Sequence, residues 1–401
     1  MKDIEVHYSD LEPIICSHNN NFLKYVIDKG IFNLGNYSYI ELGILKSQNL
    51  KAALMMFDDD TDSVMPWCVA FPQFNDIINN DNFNFFKKTK DNRTVLHFAA
   101  SYNNINICNY LSTSTTINQI DVNATDTDFE NTALHYAGEN NSKEIAEFLI
   151  AHGANLNLKN NQGKTALLIA LERNNKETAV ALIQGGANVK KKCKNGTSAL
   201  HFAVINNWKD IAELLISHGA DINAIARNMD SVLCTAARYN RREITELLIS
   251  HGVSILSPLN QTVLHVAAQC NSKDIIELLI ANGVNINTKD KNGESALHYA
   301  TKYGNKDATE QLMVLSADIN AKNNQGKIAL HYAVENNNKD IVEFLVMHDA
   351  DVNAKARNLE TALHMTARFN NKQIAELLIS HGADINARAK MEKRLFILPQ
   401  D

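Results

Sequence analysis

Proline is scarce in this chain, with five in 401 residues, and the sixteen glycines are not concentrated in any tract. That composition excludes collagen-like and Pro/Gly-rich disordered polymers. Long apolar runs are also missing: no window approaches the roughly 18 uninterrupted apolar residues of a membrane span, so no direct membrane insertion is expected. The opening, MKDIEVHYSDLEPIICSH, lacks the apolar core of a secretory leader. Cysteine is sparse and scattered (Cys16, Cys68, Cys108, Cys193, Cys234, Cys270), with no C-x-x-C pair. This reads as reduced thiols in an intracellular, cytoplasmic protein with nuclear access left open. There is no basic excess either: 39 Lys and Arg face 45 Asp and Glu, a net charge of −6, which weighs against a nucleic-acid partner. What remains is 45% hydrophobic and 21% charged. That fits two or three folded domains or one long repeat array.

The array is directly visible. ALHYA at 133–137 returns as ALHFA at 199–203, ALHYA at 296–300 and 329–333, and ALHMT at 362–366. The slot usually held by His falls at 97, 135, 168, 201, 234, 265, 298, 331 and 364, with spacings of 38, 33, 33, 33, 31, 33, 33 and 33. A sustained period of this size marks stacked supersecondary units. Within 290–322, Ser295 is a plausible N-cap, Gly304–Asn305 breaks the first helix, and a second helix starts near Lys306. The cleanest second helix is Lys209–Ser217, where Ile211, Ala212, Leu214, Leu215 and Ile216 make a wide apolar face. Gly153, Gly186, Gly219, Gly252, Gly283 and Gly382 follow these helices, where a left-handed residue is wanted. A single hairpin cannot bury its apolar face; stacked neighbours can.

The pattern G-x-T-A-L-H-x-A…L-L-I-x-x-G-A-D-I-N-A resembles the ankyrin repeat. The resemblance implies an all-α ankyrin-repeat solenoid of helix-turn-helix units with short β-hairpin fingers. Nine repeats are expected: 89–126, 127–159, 160–192, 193–225, 226–256, 257–289, 290–322, 323–355 and 356–388. The helix-opening proline of the family is Ala199, Val263 or Ala296 here, which removes a preorganised first residue. Its mid-repeat glycine is mostly Asn (141, 174, 207, 240, 271, 337 and 370), a residue that still tolerates positive φ. Five extra residues near Ser112–Asn118 predict a bulged loop, and two missing near Ser254–Pro258 a shortened finger.

The two ends depart from the period. Residues 1–88 carry helix–turn–helix echoes without T-x-L-H, and read as a degenerate N-terminal cap, similar to segments preceding protist ankyrin arrays. The rival reading is a separate α-helical domain. At the other end, KMEKRLFILPQD replaces the expected N-G-x-T-A-L-H-x-A-A. Codons chosen one nucleotide back restore that text in register, so 389–401 is expected to be a tenth repeat read out of frame, with a frayed end.

The remaining motifs belong to the periodic background. Twelve of the fourteen histidines sit in the A-L-H and H-G slots, so they read as backbone partners at repeat junctions rather than metal ligands. The G-K-T of QGKTALL lacks the glycine five residues earlier that a phosphate loop needs, since Leu158 stands there. No nucleophile–base pair survives; no catalytic residue, metal site or cofactor is expected, and the chain is read as no enzyme. The Asn of D-V-N or D-I-N (123, 223, 320, 353, 386) is expected to hold the inter-repeat turn.

In the ankyrin family, finger tips and the exposed end of the first helix line a concave binding face. Carried onto this chain, those positions are Tyr102, Ile205, Trp208, Arg227, Met229, Arg238, Tyr239, Lys302, Tyr303, Arg357, Leu359, Arg368 and Phe369. Three pairs are a cation followed by an aromatic, types enriched at binding hot spots. The bland alternative is rings covering their own hairpins and solvated cations. The expected function is a monomeric, non-catalytic scaffold that binds a protein partner on the concave face. The alternative is an adaptor subunit that recruits substrates to an enzyme such as a ubiquitin ligase.

Overall fold

The computed structural model describes residues 91–113, 117, 120–227, 230–255 and 262–389, together with Phe86, Lys88 and Thr89. Nearly all of the expected N-terminal cap, most of the bulged loop near Ser112–Asn118, part of the shortened finger, Met229 and nearly all of the tail fall outside these residues.

Among the described residues every regular element is a helix, and the helices come in pairs. The chain divides into two compact units, Met1–Lys194 and Asn195–Asp401. The first holds α1 (Val95–Tyr102) with α2 (Ile105–Thr113), α3 (Ala133–Glu139) with α4 (Lys143–Ala151), and α5 (Ala166–Glu172) with α6 (Lys176–Gln184). The second holds α7 (Ala199–Ile205) with α8 (Lys209–Ser217), α9 (Val232–Arg238) with α10 (Arg242–Ser250), and α11 (Val263–Gln269) with α12 (Lys273–Ala281). It continues with α13 (Ala296–Lys302) and α14 (Lys306–Val314), α15 (Ala329–Glu335) and α16 (Lys339–Met347), and α17 (Ala362–Arg368) and α18 (Lys372–Ser380). Within each unit, first helices pack on first helices and second on second. This is an all-α stack of regular hairpins.

First helices of seven residues span about 10 Å, far below the length at which an isolated helix persists. Those inside a unit are held from both sides by the first helices before and after them. Ala133, Leu134, His135, Tyr136 and Ala137 of α3 are all buried, as are the matching residues Val263–Ala268 of α11. Second helices are amphipathic instead. In α8 the buried residues are Ile211, Ala212 and Leu215, while Leu214 and Ile216 stay half-exposed. Leu215, not Leu214, is therefore the core residue of that face. The turn joining the two helices bends through Asn141, Asn174, Asn207, Asn240, Asn271, Asn337 and Asn370, all with φ between 51° and 65°. Asn does here what the family's glycine does, because its short polar side chain tolerates the left-handed region.

The fingers between hairpins are tight turns rather than paired strands. Isolated bridge residues stand at Lys192, Ser198, Ile225, Ser231 and Thr262, with Ile225 paired antiparallel to Ser231. Backbone bonds close other fingers, as from the Asp290 N–H to the Glu294 carbonyl at 2.9 Å and from the Gly293 N–H to the Asp290 carbonyl at 3.0 Å. Another ties one finger to the next, as from the Asn324 N–H to the Asn292 carbonyl at 2.9 Å.

Candidate functional site

Two ladders register the hairpins. The first is built from the A-L-H imidazoles. The Thr262 backbone N–H donates to His265 Nδ1 at 3.1 Å, and the Thr262 hydroxyl lies 2.9 Å from the same nitrogen. A backbone N–H can only donate, so Nδ1 is the bare nitrogen and Nε2 carries the proton. Nε2–H then reaches the carbonyl of Glu294 at 2.9 Å, on the next repeat. The same arrangement links His97 to Asn131 (3.1 Å), His135 to Lys164 (3.2 Å), His201 to Asp230 (3.3 Å) and His298 to Lys327 (3.1 Å). Burial holds the imidazoles of His135, His265, His298 and His331 below their ordinary range, and brings His97 down to about 4.

The second ladder is the D-I-N asparagine. Asn320 Oδ1 accepts from the Asp351 N–H at 2.8 Å, and Asn353 Oδ1 from the Asp384 N–H at 2.8 Å. Asn123, Asn157, Asn223 and Asn287 repeat the bond. The H-G histidines close helix ends, as His218 Nδ1–H does on the Leu214 carbonyl at 2.8 Å. The G-K-T residues are also absorbed by the fold. Lys164 pairs with Glu172 at 2.6 Å and Thr165 caps α5. Among the described residues no cluster of His, Cys, Asp or Glu could hold a metal ion.

A third pattern was not read from the sequence. In five repeats the residue just before the N-cap forms an ion pair with the last residue of the first helix, eight positions on. Lys164–Glu172 (2.6 Å), Asp230–Arg238 (3.0 Å), Glu294–Lys302 (3.2 Å), Lys327–Glu335 (2.6 Å) and Glu360–Arg368 (2.8 Å) all obey it. Opposite charges at a spacing of eight were the available signal.

A model of three consecutive ankyrin repeats matches residues 72–160, 115–193, 150–226, 175–259, 224–290, 264–356 and 297–389. The chain belongs to the ankyrin-repeat family. Ankyrin repeats generally mediate protein–protein interaction, so the surface between fingers and first helices is where a site is sought.

Among the described residues of the second unit, three grooves open on that surface. One of 360 Å³ is lined by His201, Ile205, Asp230, Arg238 and Tyr239, among others. A second, of 410 Å³, is lined by Glu294, Lys302, Asn323, Lys327 and Tyr332. The third, of 440 Å³, includes Gln325, Glu335, Arg357, Glu360, Met365 and Arg368. Glu294, 4% exposed, holds the second groove together: it pairs with Lys302 and accepts from the Tyr332 hydroxyl. Burial and the Glu294 carboxylate push the Tyr332 phenol well above its ordinary range, so it stays a hydrogen-bond donor.

The candidate residues separate on this geometry. Arg238, Lys302 and Arg368 are not simply solvated; each is neutralised by the carboxylate eight residues earlier. The rings that follow them stay open: Tyr239 is 45% exposed, Tyr303 51% and Phe369 49%. Tyr303 stacks on Tyr299 at 6.3 Å, and the Arg368 guanidinium lies 5.5 Å from the Phe369 ring centre. Ile205 is half-buried in the first groove. Trp208 instead serves as the N-cap residue of α8, its carbonyl accepting from the Ala212 N–H at 2.9 Å. Arg227, Arg357 and Leu359 are exposed on fingers. Tyr102 ends α1 in the first unit, exposed to a similar degree as Leu359.

Leu359 is strained. Its φ is 63°, at the finger position where other fingers place Gly163, Gly196, Gly293 and Gly326. A leucine in that conformation costs about 1–2 kcal/mol.

Proposed function

We propose that this chain is a non-catalytic scaffold, monomeric and cytoplasmic, that binds a protein partner across the grooves of its second unit. The observation that carries this reading is the alternation of exposed rings. Tyr239, Tyr303 and Phe369 stand on every second repeat, each beside a cation that already has its counter-ion. A partner can cover such a ring without stranding an unpaired charge, which would otherwise be a large desolvation cost. Alternate repeats lie about 20 Å apart at ordinary helix-packing distances. That equals roughly six residues of extended chain. The strain at Leu359 supports the same face, since an apolar residue is kept where glycine would be more stable.

The test is the triple variant Tyr239→Ala, Tyr303→Ala, Phe369→Ala, assayed against the partner recovered with the full chain. Loss of affinity by about 100-fold or more, with the unfolding midpoint unchanged, is expected from three hot-spot rings. Full retention of affinity would overturn the reading.

A further inference from the structure

The last segment of the first unit carries a charge balance opposite to that of the chain. Between residues 155 and 194 there are eight Lys and Arg against two Glu, a net charge of +6 in a chain of net −6. Both carboxylates are already engaged, Glu172 by Lys164 at 2.6 Å and Glu177 by the Asn141 amide at 2.9 Å. Four lysines on two successive fingers remain: Lys159 on one, and Lys190, Lys191 and Lys194 on or beside the next. Lys159, Lys190 and Lys194 are exposed, and Lys191 is half-exposed. Lys159 Nζ donates to the Lys192 carbonyl at 2.9 Å, and Lys194 Nζ to the Asn161 carbonyl. Those bonds fix the ammonium groups in place without neutralising them. No carboxylate pairs with any of the four among the described residues.

We propose that these two fingers form a docking site for an acidic protein segment in extended conformation, separate from the grooves of the second unit. Adjacent repeats lie about 8–10 Å apart, and extended chain advances about 3.3 Å per residue. A run of glutamates or aspartates therefore meets both fingers within about three residues. The neighbouring finger limits the length of the polyanion. It carries Asp128, Glu130 and a 46% exposed Phe129. A duplex nucleic acid, with one charge per about 1.7 Å of axis, would run from the lysines onto those two carboxylates. A short acidic peptide stops before them, or reaches Phe129 with an apolar residue.

The experiment is fluorescence anisotropy of a labelled octaglutamate peptide titrated with the full chain. Binding is expected, weakening as salt rises from about 50 mM to about 200 mM. Lys190→Glu with Lys191→Glu should weaken it about tenfold or more, and Lys190→Gln with Lys191→Gln should do so to a smaller extent. Lys339→Glu with Lys372→Glu, exposed lysines of the second unit, should leave it unchanged. Absence of binding by the wild-type chain, or equal loss in both charge-reversal pairs, would overturn the proposal. So would a short duplex DNA of equal charge that binds more tightly than the peptide through the same lysines. Circular dichroism verifies that each surface variant stays folded.

Discussion

His265 donates from Nε2 to the carbonyl of Glu294, 29 residues on and 2.9 Å away, from a ring with no exposed surface. The bond joins a first helix to the finger base of the next repeat, and the Glu294 side chain then organises the adjoining groove. His265→Ala removes this bond, the contact to the Thr262 cap and the packing against Tyr299 at 5.2 Å. A loss of about 2–4 kcal/mol is expected, from an unsatisfied carbonyl and a cavity. Urea denaturation of the full chain measures it.

Protonation should act on all these junctions together. The folded pKa of His97, His135, His265, His298 and His331 lies below the unfolded value, so the unfolded chain binds more protons as pH falls. Stability from these rings is full above about pH 6.5. It is lost progressively below that, down to about 4 for His97. The interval from pH 6.5 to about 5 lies above the range where most carboxylates titrate, so it isolates the imidazoles. The urea midpoint should drop across that interval; a flat or rising midpoint would contradict imidazoles held neutral by burial.

Backbone strain gives a prediction of the opposite sign. Ser316 and Asp349 hold φ of 68° and 67° at the end of a second helix, where Gly219 and Gly283 stand in other repeats. Ser316→Gly relieves the left-handed penalty at the cost of a more flexible unfolded chain. It should stabilise by about 0.5–1 kcal/mol. Thermal unfolding measures the shift.

Leu359 separates stability from binding. Leu359→Gly should stabilise the fold by a similar ~0.5–1 kcal/mol, while weakening the proposed partner by removing an exposed apolar tip. A variant that is more stable and binds as well as wild type would remove Leu359 from the contact face.

Much of this fold was legible because its signal repeats. The α8 limits, Lys209–Ser217, follow from apolar spacing between a turn and a glycine, and Ser295 reads directly as a cap. The asparagine turns were readable for the same reason: one residue type in one slot at positive φ. What escaped was set by contacts across the period. Leu214 and Leu215 look alike in sequence, and only packing shows that Leu215 is the buried one. Arg238 reads as a hot-spot cation, yet its bond to Asp230 makes Arg238→Ala strip a carboxylate of its partner. Tyr239→Ala is therefore the cleaner probe of the face.

The most direct measurement is site-specific photo-crosslinking in cells. A benzoylphenylalanine is placed in turn at Tyr239, Tyr303 and Phe369, and at Val314, an exposed residue ending the second helix α14. A single protein joined through all three ring positions and not through Val314 is the predicted result. Crosslinks that form at Val314 and at none of the rings would contradict the groove as the binding face.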